Sequence, residues 1–514
     1  MSTPFVLVLH AHLPYVHHPE GARFLEEEWY FEALTETYLP LINAFENLAR
    51  DGVPFRITMS LTPPLLSMLA HPGLMQRSRN YIGERLAALE GEIKRTCGDP
   101  DLHPTVLWYR EHFESLARQL SEGPTPLARL RALAASGHLQ ILTCPATHGF
   151  LPILRMDDEA VSAQIRQGVA THRRLLGIDP EGIWLSECAY HPGVERFLNA
   201  VGIDHAMVED TTVTTAQPPY HGPLLPTRTP GGLTVIPRDP ELSALVWSAR
   251  GGYPGDPLFR EFYRDAGFDV DMPHIRAMHH GPQPSFTGLK YHCITGATPY
   301  KQIWHPGRAR KRAAEHAAHF LQRLRDRAGD PVLTVSFDAE LFGHWWFEGP
   351  WWLEALLRKM AAEQSDVVAC HTRDVAHRSD APVRQPPISS WGKNGTCEVW
   401  LNPSNDWIYR HLHRGVRRLS AATRATVAGS QPQGRWLRQA WRELLLAQSS
   451  DWAFIMTTNT SVEYAVNRTQ VALNRLDRLL APFEGGDPPD EGWLSEVEGQ
   501  DDIFPDLDPW SLLP

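Results

Sequence analysis

The 514-residue sequence has only six cysteines, and no two of them stand in CxxC spacing. Cys97, Cys144, Cys188, Cys293, Cys370 and Cys397 are scattered singly. This excludes a zinc-finger or thioredoxin-type motif, and a disulfide framework is foreign to a chain of this size. No segment approaches the roughly 18 consecutive apolar residues of a membrane span. The opening stretch MSTPFVLVLHAHLPY lacks the basic segment of a signal peptide and reads as a first strand. Positive charge is in deficit, with a formal net charge of −11, which argues against nucleic acid or an anionic membrane as partner. The cytoplasm is the compartment these absences leave. No internal repeat is visible.

What is present is enough apolar residue, 42%, to build a sizeable core. Short apolar runs alternate with helical patterns. FVLVL (5–9), FRITMSL (55–61), LQILTC (139–144), GIWLS (182–186), HAMVE (205–209), LTVIP (233–237), LSALVW (242–247), PVLTVSF (331–337) and VVACH (367–371) read as the strand-like runs. Helical patterns fall at Phe31–Arg50, Asp158–Leu176, Val194–Val201, Gly307–Arg327 and Trp351–Gln364. Alternation with continuous apolar strands predicts an α/β barrel, its parallel sheet covered by helices, over residues 1–408 with a helical excursion at about 65–136. Residues 409–484 read as a helical domain, and the acidic tail 485–514 as a loose terminus or a surface strap.

Polar residues gather after the apolar runs. His10 and His12 follow the first, His148 the third, Glu187 the fourth, Glu209 and Asp210 the fifth, and Asp338, Glu340 and His344 the PVLTVSF run. Parallel barrels assemble their sites at the carboxyl ends of the strands, so these residues are expected on one rim. Glu187 and Asp338 stand out because each directly follows its strand among aromatics. Two facing acids are the minimal apparatus for cleaving a glycosidic bond, one attacking the anomeric carbon and the other protonating the departing oxygen. The bland alternative is a carboxylate that caps the next helix.

The stretch Thr334–Leu353 packs four tryptophans, three carboxylates and a histidine into one short segment. A sugar polymer is a ligand that takes indole and carboxylate side by side: ring faces stack on pyranose C–H faces, and acids and histidines bond the hydroxyls. Trp345, Trp346, Trp351 and Trp352 cannot all serve, and half are expected to be packing. Trp346 is taken as a sugar contact, with Trp247, Trp400, Trp407 and Trp452 as further platforms. His10 and His12, at i and i+2 on one strand face, have a second reading as metal ligands, weakened by the lack of an aspartate within the motif.

Five blocks, VLHAHLPYV, TCPATHGF, GIWLSECAY, SFDAELFGHWWFEG and VWLNPSNDW with the later SSDWAF, resemble glycoside hydrolase family 57 and, within it, the 1,4-α-glucan branching enzymes. The resemblance runs from about residue 4 to about residue 480. It implies an incomplete (β/α)7 barrel whose helical C-terminal domain completes the substrate cleft. It implies Glu187 as nucleophile and Asp338 as general acid/base, with His10, His12 and His148 as substrate contacts. Trp29, Trp247, Trp400, Trp407 and Asp451 are similar to glucan-lining positions. The family uses no metal and no cofactor, and the implied partner is an α-glucan, met by a monomer or weak homo-oligomer engaged in glycogen synthesis.

The sequence departs from the family pattern at TAQPPYHGPLLPTRTPGGLT. This stretch is short and proline-rich, and Tyr220 is its one tyrosine. The branching enzymes carry a long loop with a tyrosine near its tip that shields the covalent ester from water. The alternatives are therefore an α-1,4-glucan hydrolase or 4-α-glucanotransferase on the same scaffold, a metal-dependent deacetylase or mannosidase, and a glucan-binding protein without catalysis.

Overall fold

The first strand, β1 (Thr3–Ala11), is buried on both faces, and that fact sets the architecture. Phe5, Leu7 and Leu9 pack outward into the large cluster shared with the surrounding helices. Val6 and Val8 pack inward with Leu142, Cys144, Trp184, Met207 and Ile236. A strand with two apolar faces belongs inside a helix-covered parallel sheet. The computed structural model describes residues 2–19, 24–248, 251–279, 281–363 and 366–514.

The remaining strands are β2 (Ile57–Leu61), β3 (Leu139–Leu142), β4 (Gly182–Trp184), β5 (His205–Val208), β6 (Thr227–Arg228), β7 (Thr234–Pro237), β8 (Leu333–Asp338) and β9 (Val367–Cys370). β1 pairs in parallel with β2 and β8, and β2 with β3. A parallel bridge between Thr143 and Ile183 carries the sheet to β4, which leads through β5 to β7. Seven parallel strands thus run in the order β8, β1, β2, β3, β4, β5, β7. Between β7 and β8 the described residues form no ladder; the amide of Asp239 donates to the Thr334 carbonyl at 2.6 Å across this seam. The fold is an incomplete (β/α)7 barrel. Short antiparallel β6 edges β7, and β9 pairs with the first half of β1.

One expected strand is a helix. LSALVW lies within Pro240–Trp247, whose start is fixed by the Asp239 carboxylate accepting from the amide of Leu242, with Pro240 in the first turn. An aspartate cap followed by proline is a helix start, and it overrides the apolar run. Four helices, Pro63–Ala70, Pro72–Thr96, His103–Glu122 and Pro126–Ala135, separate β2 from β3. After the barrel come the helices Trp407–Ala425, Gln433–Ala447, Ser450–Thr458 and Val462–Leu480.

The acidic tail is a strap with a helix of its own, Glu491–Gln500. Ile503, Phe504, Leu507 and Leu512 are buried. Asp502 accepts from the Tyr15 hydroxyl and pairs with His71 Nε2 at 3.1 Å, which fastens the tail to the loop after β1. No helix among the described residues is long and apolar enough to cross a membrane.

Candidate active site

Strand periodicity aims the site residues. Val6 and Val8 face the barrel interior, so His10 and His12, two and four residues on, continue that inward row. On neighbouring β2 the inward row is Thr58, Ser60 and the following Thr62, because Ile57, Met59 and Leu61 pack outward. The two rows meet as pairs: His10 Nδ1 lies 3.0 Å from Ser60 Oγ, and His12 Nδ1 lies 3.1 Å from Thr62 Oγ1. Asp338 ends β8 and is in register with His10. Glu187 follows β4, and His148 follows β3. The carboxyl ends of four parallel strands therefore place His10, His148, Glu187 and Asp338 on one rim.

The backbone is strained where the site is tightest. His148 (φ 58°), Glu187 (φ 62°) and Cys188 (φ 50°) all occupy the left-handed region. Each such residue costs on the order of 1–3 kcal/mol, and the packing around it must hold it there.

Glu187 is gripped from two sides. Trp391 Nε1–H donates to Oε2 at 2.8 Å, and Ser450 Oγ–H donates to Oε1 at 2.9 Å. The Ser450 oxygen lies 2.8 Å from His148 Nδ1, and His148 Nε2 lies 3.1 Å from His10 Nε2. Burial pushes His10 and His148 well below the ordinary histidine range, so both rings are neutral near pH 7. With Glu187 ionised, the protons then have one consistent arrangement. Ser60 donates to His10, His10 to His148, His148 to Ser450 and Ser450 to Glu187.

Burial raises both acids, Glu187 and Asp338, to about 7. What differs is their company. The donors Trp391 and Ser450 stabilise the carboxylate form of Glu187, and no counterpart to them is seen at Asp338 among the described residues. At Asp338 burial is reinforced by the negative charge of Glu340 and only partly opposed by His12 and Arg238. The hydrogen bonds to Glu187 favour its carboxylate, and the charge of Glu340 beside Asp338 favours the protonated acid there, which suits the first to attack and the second to donate. Asp338 is also among the groups that raise Glu187, so each carboxyl senses the other.

His12 and Asp451 form the ionised part of the rim. Burial opposes the His12 charge, but Asp451, with Nε2 to Oδ2 at 3.0 Å, outweighs it and the ring is raised above its ordinary range. Burial likewise opposes charge on Asp451, yet His12 and a hydroxyl from Ser449 bring it down to about 2. Glu340 accepts from the amide of His12 at 3.1 Å and from the Tyr38 hydroxyl at 2.5 Å. The ligand atoms of His12, His148 and Asp451 lie within 4.8 Å of one another, as do those of His10, Cys144 and His148. His12 and His148 stack at 4.0 Å with planes 22° apart, and both His148 nitrogens are engaged. Neutral imidazoles in this setting can also exchange hydrogen bonds with sugar hydroxyls.

The tryptophans divide. Trp247 is 44% exposed, and its ring centroid lies 6.3 Å from that of Trp391, the indole that bonds Glu187. Three expected sugar contacts are packing residues instead. Trp346 is 1% exposed against Phe259, Phe342 and Trp352; Trp400 is 1% exposed and stacked on Phe150; Trp452 is 1% exposed with its N–H donated to the Leu446 carbonyl. Trp346 and Trp400 lie against large apolar rings, where burying an indole outweighs exposing it. Trp29 is half-buried with an edge contact to Tyr464, and Trp407, half-buried, meets His411 at 6.4 Å; neither contacts the acids. Sequence reasoning missed Trp391 and Ser450. Ser450 stands beside the noted Asp451, while Trp391 sits in an irregular segment with no periodicity to mark it.

Replacing Trp391 with phenylalanine removes a donor to the Glu187 carboxylate, which raises that group further above about 7. The acidic limb of the kcat/KM profile, set by ionisation of Glu187, is then expected to move to higher pH. An unmoved acidic limb refutes the assignment of that limb to Glu187.

A barrel rim that holds two acids in unlike surroundings, beside an exposed indole and neutral imidazoles, marks a glycoside-cleaving enzyme. Its relatives say which kind. The glycosyl hydrolase family 57 model matches residues 6–384, and the chain belongs to that family. Residues 411–511 match the C-terminal region of the 1,4-alpha-glucan branching enzymes. The chain is 30% identical to the 1,4-alpha-glucan branching enzyme TK1436 of Thermococcus kodakarensis, over 98% of this chain and 78% of that protein. Among solved structures it is similar to the alpha-amylase AmyC of Thermotoga maritima, with 39% identity, a TM-score of 0.91 and coverage of 100% of this chain and 99% of that one. The branching enzyme of Pyrococcus horikoshii is 30% identical, with a TM-score of 0.89 and coverage of 100% and 97%.

Proposed function

We propose that this protein is a retaining 1,4-α-glucan branching enzyme. The observation that carries the reading is the position of Ser450 and Asp451. They belong to the segment that matches the branching-enzyme C-terminal region, and they form one wall of the site by gripping Glu187 and His12. In the first step a Glu187 oxygen bonds to the anomeric carbon as the bond to the glycosidic oxygen breaks. That oxygen takes the Asp338 proton. In the second step the 6-hydroxyl of another glucan unit attacks the anomeric carbon, its proton passes to Asp338, and Glu187 leaves as a carboxylate. The product is an α-1,6 branch.

Hydrolysis is the second reading, and two observations favour it. One is the 39% identity to AmyC. The other is the loop at 215–226. Arg384 ties it down by donating to the carbonyls of Ala216 and, at 2.7 Å, Pro218. Its Tyr220 ring lies 5.7 Å from that guanidinium, with the hydroxyl folded back against Gly222. A tyrosine folded back in this way is not extended to shield an ester from water, the competing acceptor.

Incubation with linear amylose separates the two. Side chains released on subsequent debranching support transfer to the 6-hydroxyl, whereas new reducing ends without branches assign the protein to hydrolysis.

A further inference from the structure

The catalytic loop carries two adjacent tryptophans with opposite fates. Trp346 is in the core, but Trp345 is 53% exposed. One face of Trp345 stacks on Phe262 at 4.5 Å, with planes 23° apart. Its other ring contact among the described residues is an edge contact with His344, and the indole remains more than half exposed to solvent. Phe262 in turn meets Tyr263, 71% exposed, at 5.1 Å and Phe286 at 6.1 Å. The result is an aromatic shelf built by the loop after β8 and the irregular segment near residue 260.

The shelf has a polar edge. His344 Nδ1 lies 3.1 Å from Glu36 Oε2 and 3.8 Å from Glu32 Oε2. Its Nε2 has no protein partner among the described contacts, and the Glu32 side chain retains 14% exposure. Indole, imidazole and carboxylate side by side are the set that recognises a pyranose ring. The shelf is also continuous with the site. The amide of Trp345 donates to the Glu340 carbonyl at 3.2 Å, and the Glu340 side chain accepts from His12.

We infer that Trp345, with Tyr263 beyond it and His344 and Glu32 at its edge, forms an outlying glucan-binding subsite that holds a chain extending past the cleavage point. The inference rests on an α-glucan being the substrate. An exposed aromatic surface is also the mark of protein interfaces. Here the hydrogen-bonding edge and the direct link to the catalytic loop favour a polyhydroxylated chain.

The test compares the wild-type protein with Trp345→Ala and with Trp345→Ala/Tyr263→Ala. Both side chains are exposed, so their removal leaves the core intact, and an unchanged melting temperature checks this. The readouts are kcat/KM on long amylose and on the shortest malto-oligosaccharide turned over, retardation in native gels containing amylose, and mass in solution. The inference expects a loss of about two- to tenfold on long amylose, carried by KM and matched by weaker retardation, with the short substrate nearly unaffected. Equal effects on both substrates, or none, overturn it while the glucan reading stands. A wild-type oligomer that dissociates on Trp345→Ala overturns it in favour of a self-association face. Failure of the wild-type protein to act on or be retarded by amylose overturns the glucan reading, and the subsite with it.

Discussion

Glu187→Gln is expected to lower turnover on amylose by roughly 10⁴-fold or more while leaving glucan binding in place. The amide matches the carboxylate in shape and keeps one oxygen to accept from Trp391 Nε1–H, while its NH2 faces the Ser450 oxygen, but it cannot form a glycosyl ester. A second variant makes the test chemical. Glu187 sits at φ 62°, a conformation glycine adopts without penalty, so Glu187→Gly keeps the backbone turn and opens a hole beneath the anomeric carbon. Azide in that hole is expected to restore part of the activity and to give a glucosyl azide of inverted configuration. Glu187→Gln retaining more than about a tenth of wild-type turnover, far above what loss of a nucleophile permits, rules Glu187 out.

Asp338→Asn is expected to cost about 10²- to 10⁴-fold on amylose, the usual worth of a positioned acid/base group. The loss depends on the leaving group. An aryl glucoside departing as a stabilised phenolate needs no proton, so ester formation survives on that substrate. Breakdown of the ester, which needs Asp338 as base, becomes slow. A burst of phenolate followed by a slow phase is the expected record. With both acids held near 7 by burial, the wild-type kcat/KM profile is bell-shaped and reports two apparent values belonging to the pair. An equal loss on aryl glucoside and amylose, with no burst, removes Asp338 from the acid/base role.

Much of this site was legible in the sequence, for physical reasons. The apolar runs that open β1, β2, β3, β4, β5 and β8 are fully buried, so their composition is constrained, and the residue that follows each run inherits a place on the rim. His10, His12, His148, Glu187 and Asp338 were found in that way. LSALVW misled because an apolar run carries no periodicity, although Asp239 and Pro240 before it held the correct signal. The tryptophans were harder. Trp345 and Trp346 are neighbours with identical side chains, and only the turn that follows β8 decides which of them meets water. Trp391 and Ser450 reach Glu187 from 204 and 263 residues away, and no local pattern encodes such a meeting.

The order of synthesis matters for a molecule built in this way. The hydroxyl of Tyr15, just beyond His12, is fastened by Asp502, made 487 residues later. Ser450, which steadies the proposed nucleophile, also comes long after the strand that bears His10. A nascent chain on the ribosome can therefore close most of its sheet while the pocket is still unfinished. The pocket is completed only when segments from the far end of the sequence have folded back against the barrel.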